Sequence, residues 1–216
     1  MKKLALAAVL LVVVASTVAF AGEHIVGGTK YTGNTLPWWS SYTAIRFQCM
    51  WYKSEINESG DVTKIEFQWS SYAGTGPTTF NSVDMLLCHS ALTALTSNYT
   101  TNYNGKTPVN VFTGNYTIPA GLTQNQWFAQ CSPTNFTYNN TDNLLMEISW
   151  SGHTTGASGN YFWRAQTGQP GRVYALSKTA TTGTLYANQG EIARITIKTI
   201  PGVAPTSLGR VKGLFR

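Results

Sequence analysis

The sequence predicts an all-β fold: a two-sheet antiparallel sandwich of about nine strands with one short helical turn. Three observations predict it. Apolar residues recur at period two in short runs. Clusters of Asn, Asp, Gly and Ser separate those runs. No stretch keeps a helical period long enough for a crossover helix, which excludes a βαβ fold. No fixed-period repeat is present, which argues against a propeller or solenoid.

Taken in order, the chain of 216 residues opens on Lys2-Lys3, an apolar run from Leu4 to Val18 and the small-residue site Ala19-Phe20-Ala21. Residues 1–21 therefore predict a secretory signal peptide cleaved after Ala21, its apolar run too short for a comfortable membrane span. Gly22 to Ser41 is polar, Gly-rich and non-periodic, and predicts an N-terminal arm. A sandwich follows over residues 42–200. Ile45, Phe47, Cys49 and Trp51 share one phase and Arg46, Gln48 and Met50 the other. Ile65, Phe67 and Trp69 alternate with Lys64, Glu66 and Gln68 after the turn material Asn57-Glu58-Ser59-Gly60-Asp61. Further strands are predicted at 83–88, 109–116 and 127–131. The clearest is 144–150, where Leu144, Met146, Ile148 and Trp150 follow the turn cluster Asn139 to Asn143. Its other phase carries Glu147, which predicts a partly wet face. Strands at 161–165, 173–176 and 192–200 complete the set, and Ser90 to Thr100 is the helical turn. The predicted core is Phe47, Trp51, Ile65, Phe67, Met85, Leu87, Leu144, Met146, Ile148 and Ile195. Pro201 and Pro205 then end the sandwich, leaving 201–216 as a basic and apolar tail.

Charge bounds the partners. Removing Lys2 and Lys3 lowers the 15 basic residues to 13, against 9 acidic ones, and charged residues make up 11% of the chain. The cations are scattered, so no nucleic-acid partner is expected. Of the 3 cysteines, Cys49 and Cys131 lie in strand-like runs and are the disulfide candidates, with Cys88 the third; none has zinc spacing.

The segments Arg46 to Tyr52, Glu55-Ile56, Val62 to Phe67, Phe80 to Leu87, Val111 to Thr117 and Asn139 to Trp150 resemble a jelly-roll module. That module occurs in large secreted and surface proteins of Gram-negative bacteria, many of them type IX secretion substrates. The resemblance implies a jelly-roll connectivity for the sandwich and a location outside the cell or on its outer surface. It implies no activity, because fold does not fix function.

The motifs point away from catalysis. Ile25-Val26-Gly27-Gly28 with Pro37-Trp38 looks like the mature start of a trypsin-like protease, but the histidine and serine contexts of that mechanism are missing. The mature chain has three Asp and six Glu; Glu66 and Glu147, each on the polar phase of a predicted strand, are the pair weighed for convergence on one face, as glycosidase chemistry requires. No enzyme is therefore expected. Glu55, Glu58 and Asp61 share one loop and are candidate ligands for a structural calcium, the one cofactor considered. With 7 Trp and 11 Tyr in the chain, aromatics outside the core phases become binding candidates. Tyr72, Tyr99 and Tyr103 are candidates for stacking on a ligand. Ile25, Val26, Tyr31, Leu36, Trp38 and Trp39 of the arm, with Leu214 and Phe215 of the tail, are interface candidates. The arm is expected to cross to another subunit or to cover an edge strand of its own domain. The functional expectation is a secreted, non-enzymatic structural or adhesive surface protein that self-assembles into a filament or tube. The alternative is a carbohydrate-binding module whose partner is a cell-surface polysaccharide. No transmembrane segment is expected after signal cleavage.

Overall fold

A computed structural model describes residues 21–70, 77–154 and 162–199. The expected signal peptide up to residue 20, Tyr72, and the tail with Leu214 and Phe215 lie outside the described residues. Among the described residues, fourteen strands run in chain order. They are β1 (Ala21–Val26), β2 (Thr32–Asn34), β3 (Ala44–Trp51), β4 (Gly60–Gln68), β5 (Thr78–Ser90), β6 (Val109–Ile118) and β7 (Trp127–Cys131). Then follow β8 (Thr137–Tyr138), β9 (Asn143–Ser151), β10 (Phe162–Ala165), β11 (Arg172–Ala175), β12 (Thr184–Tyr186), β13 (Gly190–Glu191) and β14 (Ala193–Lys198). Two single-turn helices, α1 (Lys53–Ile56) and α2 (Tyr99–Asn102), interrupt them.

One sheet has the order β1-β14-β4-β7, with β8 pairing the start of β4. The facing sheet has the order β12-β11-β3-β9-β5-β6. All of these pairings are antiparallel. The connectivity of β1-β14-β4-β7 against β3-β9-β5-β6 is that of a jelly roll, two Greek keys folded over one core. Ile45, Phe47 and Trp51 from one sheet meet Ile65, Phe67 and Ile195 from the other in that core. All ten predicted core residues are fully buried there. A third, three-stranded sheet, β13-β10-β2, lies at one end.

Three expectations are corrected. Among the described residues there are fourteen strands rather than about nine. The sheets begin before residue 42: within the expected arm, β1 pairs with β14 from Ala21↔Lys198 to Val26↔Ala193 as the first strand of the jelly roll, which is the second placement expected of the arm, covering an edge strand of its own domain. Trp38 is fully buried, stacked at 4.6 Å on Tyr116 and donating its indole N–H to Gln130 at 2.7 Å. The second phase of β9 is also dry, with Glu147 3% exposed. Residues 92–103 and 177–183 lie over that face. Met50, Cys88, Leu95, Tyr99, Tyr103, Leu145 and Val173 form a second, smaller core beneath them.

Candidate ligand pocket

The small sheet and the edge of the six-stranded sheet enclose a pocket of about 280 Å3. Asn34 enters from β2, Arg164 from β10, Arg172 and Tyr174 from β11, and Tyr186 from β12; Tyr42 closes one side. Local pairing sets these positions. Arg164 stands opposite both Thr32 and Glu191, and Arg172 stands opposite Cys49 and Tyr186.

Beneath the pocket lies a buried polar cluster. Arg172 is 3% exposed and Glu191 fully buried. Arg172 Nη1 donates to Glu191 Oε1 and to Asn34 Oδ1, both at 2.5 Å, and its Nη2 donates to Gln189 Oε1 at 3.0 Å. Asn34 Nδ2 completes the ring by donating to Glu191 Oε2 at 3.0 Å. Burial pushes the Glu191 carboxyl up, against the pull of Arg172 and Asn34. The cluster must remain intact, because a buried charge that loses its partner keeps its full desolvation cost.

The open wall is aromatic. The Tyr174 and Tyr186 rings are parallel within 2°, their centroids 5.7 Å apart. The Arg172 guanidinium lies over Tyr186 at 5.1 Å from the ring centroid, a cation–π contact. Burial, with the hydrogen bond its O–H donates to Tyr186, pushes the Tyr174 phenol up to about 12, so it stays protonated at neutral pH. Such a wall offers flat apolar rings, phenol and amide hydrogen-bonding groups and guanidinium charge. It can bind and orient a polar ligand. Hydrolysis of a glycoside needs two carboxyls across the bond; the lining residues carry none, and Glu191 beneath them is held by Arg172 and Asn34.

The sequence-predicted site residues go elsewhere. Val26, Leu36 and Trp38 belong to the main core, and Trp39 packs edge-on to Tyr42 at 4.7 Å. Ile25 and Tyr31 are 64% and 65% exposed. Tyr99 and Tyr103 are buried, so neither can stack on a ligand. The Tyr99 hydroxyl donates to the Arg46 carbonyl at 2.7 Å, and the Tyr103 hydroxyl donates to Glu147 at 2.5 Å. Glu66 and Glu147 occupy outer faces of opposite sheets and cannot converge. Arg194 Nε donates to Glu66 at 2.6 Å and Arg46 Nε to Glu147 at 2.9 Å.

Two of the three calcium candidates, Glu58 and Asp61, are committed to other contacts. Glu58 accepts from Thr199 and bonds His24, and Asp61 accepts from Thr137 at 2.6 Å. Among the described residues, no group of three or more His, Cys, Asp or Glu is placed to hold a metal ion. Cys49, Cys88 and Cys131 are free, buried thiols, so the Cys49–Cys131 pairing is not formed. No helix among the described residues is long and apolar enough to cross a membrane.

Sequence reasoning missed Arg164, Arg172, Tyr174, Tyr186 and Glu191. The usable signal was charge inside strand-like runs, in Arg172-Val173-Tyr174 and Gly190-Glu191-Ile192. A charge placed there must be paired, and pairs of that kind cluster at sites. No protein-family model, curated protein or solved structure matches the chain.

Proposed function

We propose that this chain is a non-enzymatic, exported carbohydrate-binding module whose ligand seats in the Tyr42–Tyr174–Tyr186 pocket. The observation that carries this reading is the parallel tyrosine pair with amide and guanidinium groups along one wall. Sugar rings have apolar C–H faces that pack on aromatic rings, and their hydroxyls take paired hydrogen bonds from amides and guanidinium groups. A cavity of about 280 Å3 has room for one or two sugar rings rather than a long chain in full. The export half of the reading comes from the N-terminal sequence.

A self-assembling structural role has one observation in its favour. The outer edge of β1 has no strand partner among the described residues, and it carries the exposed Ile25.

A glycan array with the full chain, followed by calorimetry on the hits, tests the binding reading. Tyr186→Ala is expected to weaken binding at least about fivefold, because loss of an aromatic wall removes about 1–3 kcal/mol. Absence of binding to every saccharide, or a hit indifferent to both Tyr186→Ala and Tyr42→Ala, overturns it.

A further inference from the structure

The pocket's charges do not balance. Its lining and floor present two guanidinium groups, Arg164 and Arg172, and one carboxylate, Glu191. Glu191 is taken by Arg172. Arg164 meets neutral amides: its Nη1 donates to Gln189 Oε1 at 2.7 Å. The Gln166 amide, turned oxygen-in, accepts from its Nη1 and Nη2 at 2.9 and 3.1 Å. Among the described residues, no carboxylate forms a salt bridge with Arg164. The Nε atoms of both arginines are buried without an acceptor. Two like charges held side by side repel, and burial strengthens the repulsion, so Arg164 is held below the usual guanidinium range first by desolvation and then by Arg172. A fold retains such an arrangement at a cost. An anion brought into the pocket by a ligand relieves that cost.

We infer that the pocket selects an acidic saccharide, one whose carboxylate or sulfate faces Arg164 while its ring rests on the tyrosine wall. This rests on the saccharide reading above and adds the ligand's charge. The guanidinium fork suits either anion, since both offer two coplanar oxygens.

The test uses the full chain and matched probes: oligogalacturonate, the same oligomer fully methyl-esterified, and a sulfated galactan beside its desulfated form. Esterification removes the charge and keeps the sugar. Binding of an acidic member at least about tenfold tighter than its neutral match is expected. Arg164→Gln should abolish that preference, so that the acidic and neutral members of each pair bind alike, and Arg164→Lys should keep part of it. Lys53→Gln, which removes an exposed cation that does not line the pocket, should change neither, which separates the site from the chain's general positive charge. Preference for sulfate over carboxylate supports the inference and identifies the anion. Equal binding of charged and neutral matches overturns the inference and leaves the saccharide reading standing. No binding of any member of a full glycan array overturns both.

Discussion

Gly27 and Glu191 meet where β1 ends. Gly27 has φ +92°, and a Cβ built on it would collide with the Glu191 carbonyl. The Gly27-Gly28 pair that looks like a protease start is therefore a steric requirement of this fold, where the chain leaves β1 against β13. Gly27→Ala combines a left-handed φ with that collision and should cost about 1–3 kcal/mol in denaturant unfolding. Glu191→Ala should cost about 3–5 kcal/mol, because it leaves Arg172 charged and buried with no carboxylate. A loss below about 1 kcal/mol would mean that solvent reaches Arg172. Glu58 gives a pH dependence. The Thr199 hydroxyl, then His24, holds its carboxyl below the ordinary value despite some burial. A depressed folded value means stabilisation that is complete above the unfolded value, about 4.3, and is lost as pH falls through the folded one. The thermal midpoint should therefore fall more steeply below about pH 4.5 in the wild-type chain than in Glu58→Gln.

At the scale of elements, what the sequence reveals depends on how many neighbours a strand has. β3, β4 and β9 lie inside sheets, and their alternating residues are all needed, so their phases and core residues are plain in the sequence. The five strands that sequence reasoning passed over, β1, β2, β8, β12 and β13, are six residues long or shorter. β1 is bonded on one side and alternates exposed with half-buried residues, so Gly22, Glu23 and His24 are tolerated and the pattern fades. The same blind spot hid the pocket, because β2, β12 and β13 supply Asn34, Tyr186 and Glu191. The dry outer face of β9 was illegible for another reason. Glu147 reads as wet until Arg46, Gln48 and Tyr103 are brought to it from distant positions in the chain. Since β1 and β2 belong to the sheets, a chain starting at Ser40 should fail to fold cooperatively, as followed by thermal melting. A native-like melt would return residues 22–39 to the status of an arm. Trp38→Ala should cost about 3–5 kcal/mol, as expected for a buried indole.

On the scale of the whole molecule, the jelly roll carries two cores of unequal depth, and the three thiols report on them separately. Cys49 and Cys131 belong to the core between the sheets, contributed one from each side. Cys88 belongs to the smaller core under residues 92–103. Burial pushes all three thiols up, Cys88 to about 11, Cys131 to about 12 and Cys49 well above its ordinary value, so little thiolate is present at pH 8. In native buffer all three should react with an aromatic disulfide reagent far more slowly than a free thiol. They should not react at the same rate. Exposing Cys49 or Cys131 requires the two sheets to part, which is global unfolding. Exposing Cys88 requires only residues 92–103 to lift, breaking contacts such as Leu95 N–H to the Pro170 carbonyl and Gly183 N–H to the Ser97 carbonyl. Opening of that covering segment draws on fewer buried contacts, so its free energy lies below the global value. Cys88 should therefore be labelled first, with a denaturant dependence shallower than that of the other two, as followed by peptide mass mapping at low denaturant. Tyr99→Ala, which removes the covering segment's buried anchor, should accelerate Cys88 labelling selectively. Simultaneous labelling of the three thiols at every denaturant concentration would show that the covering segment and the sandwich unfold as one unit.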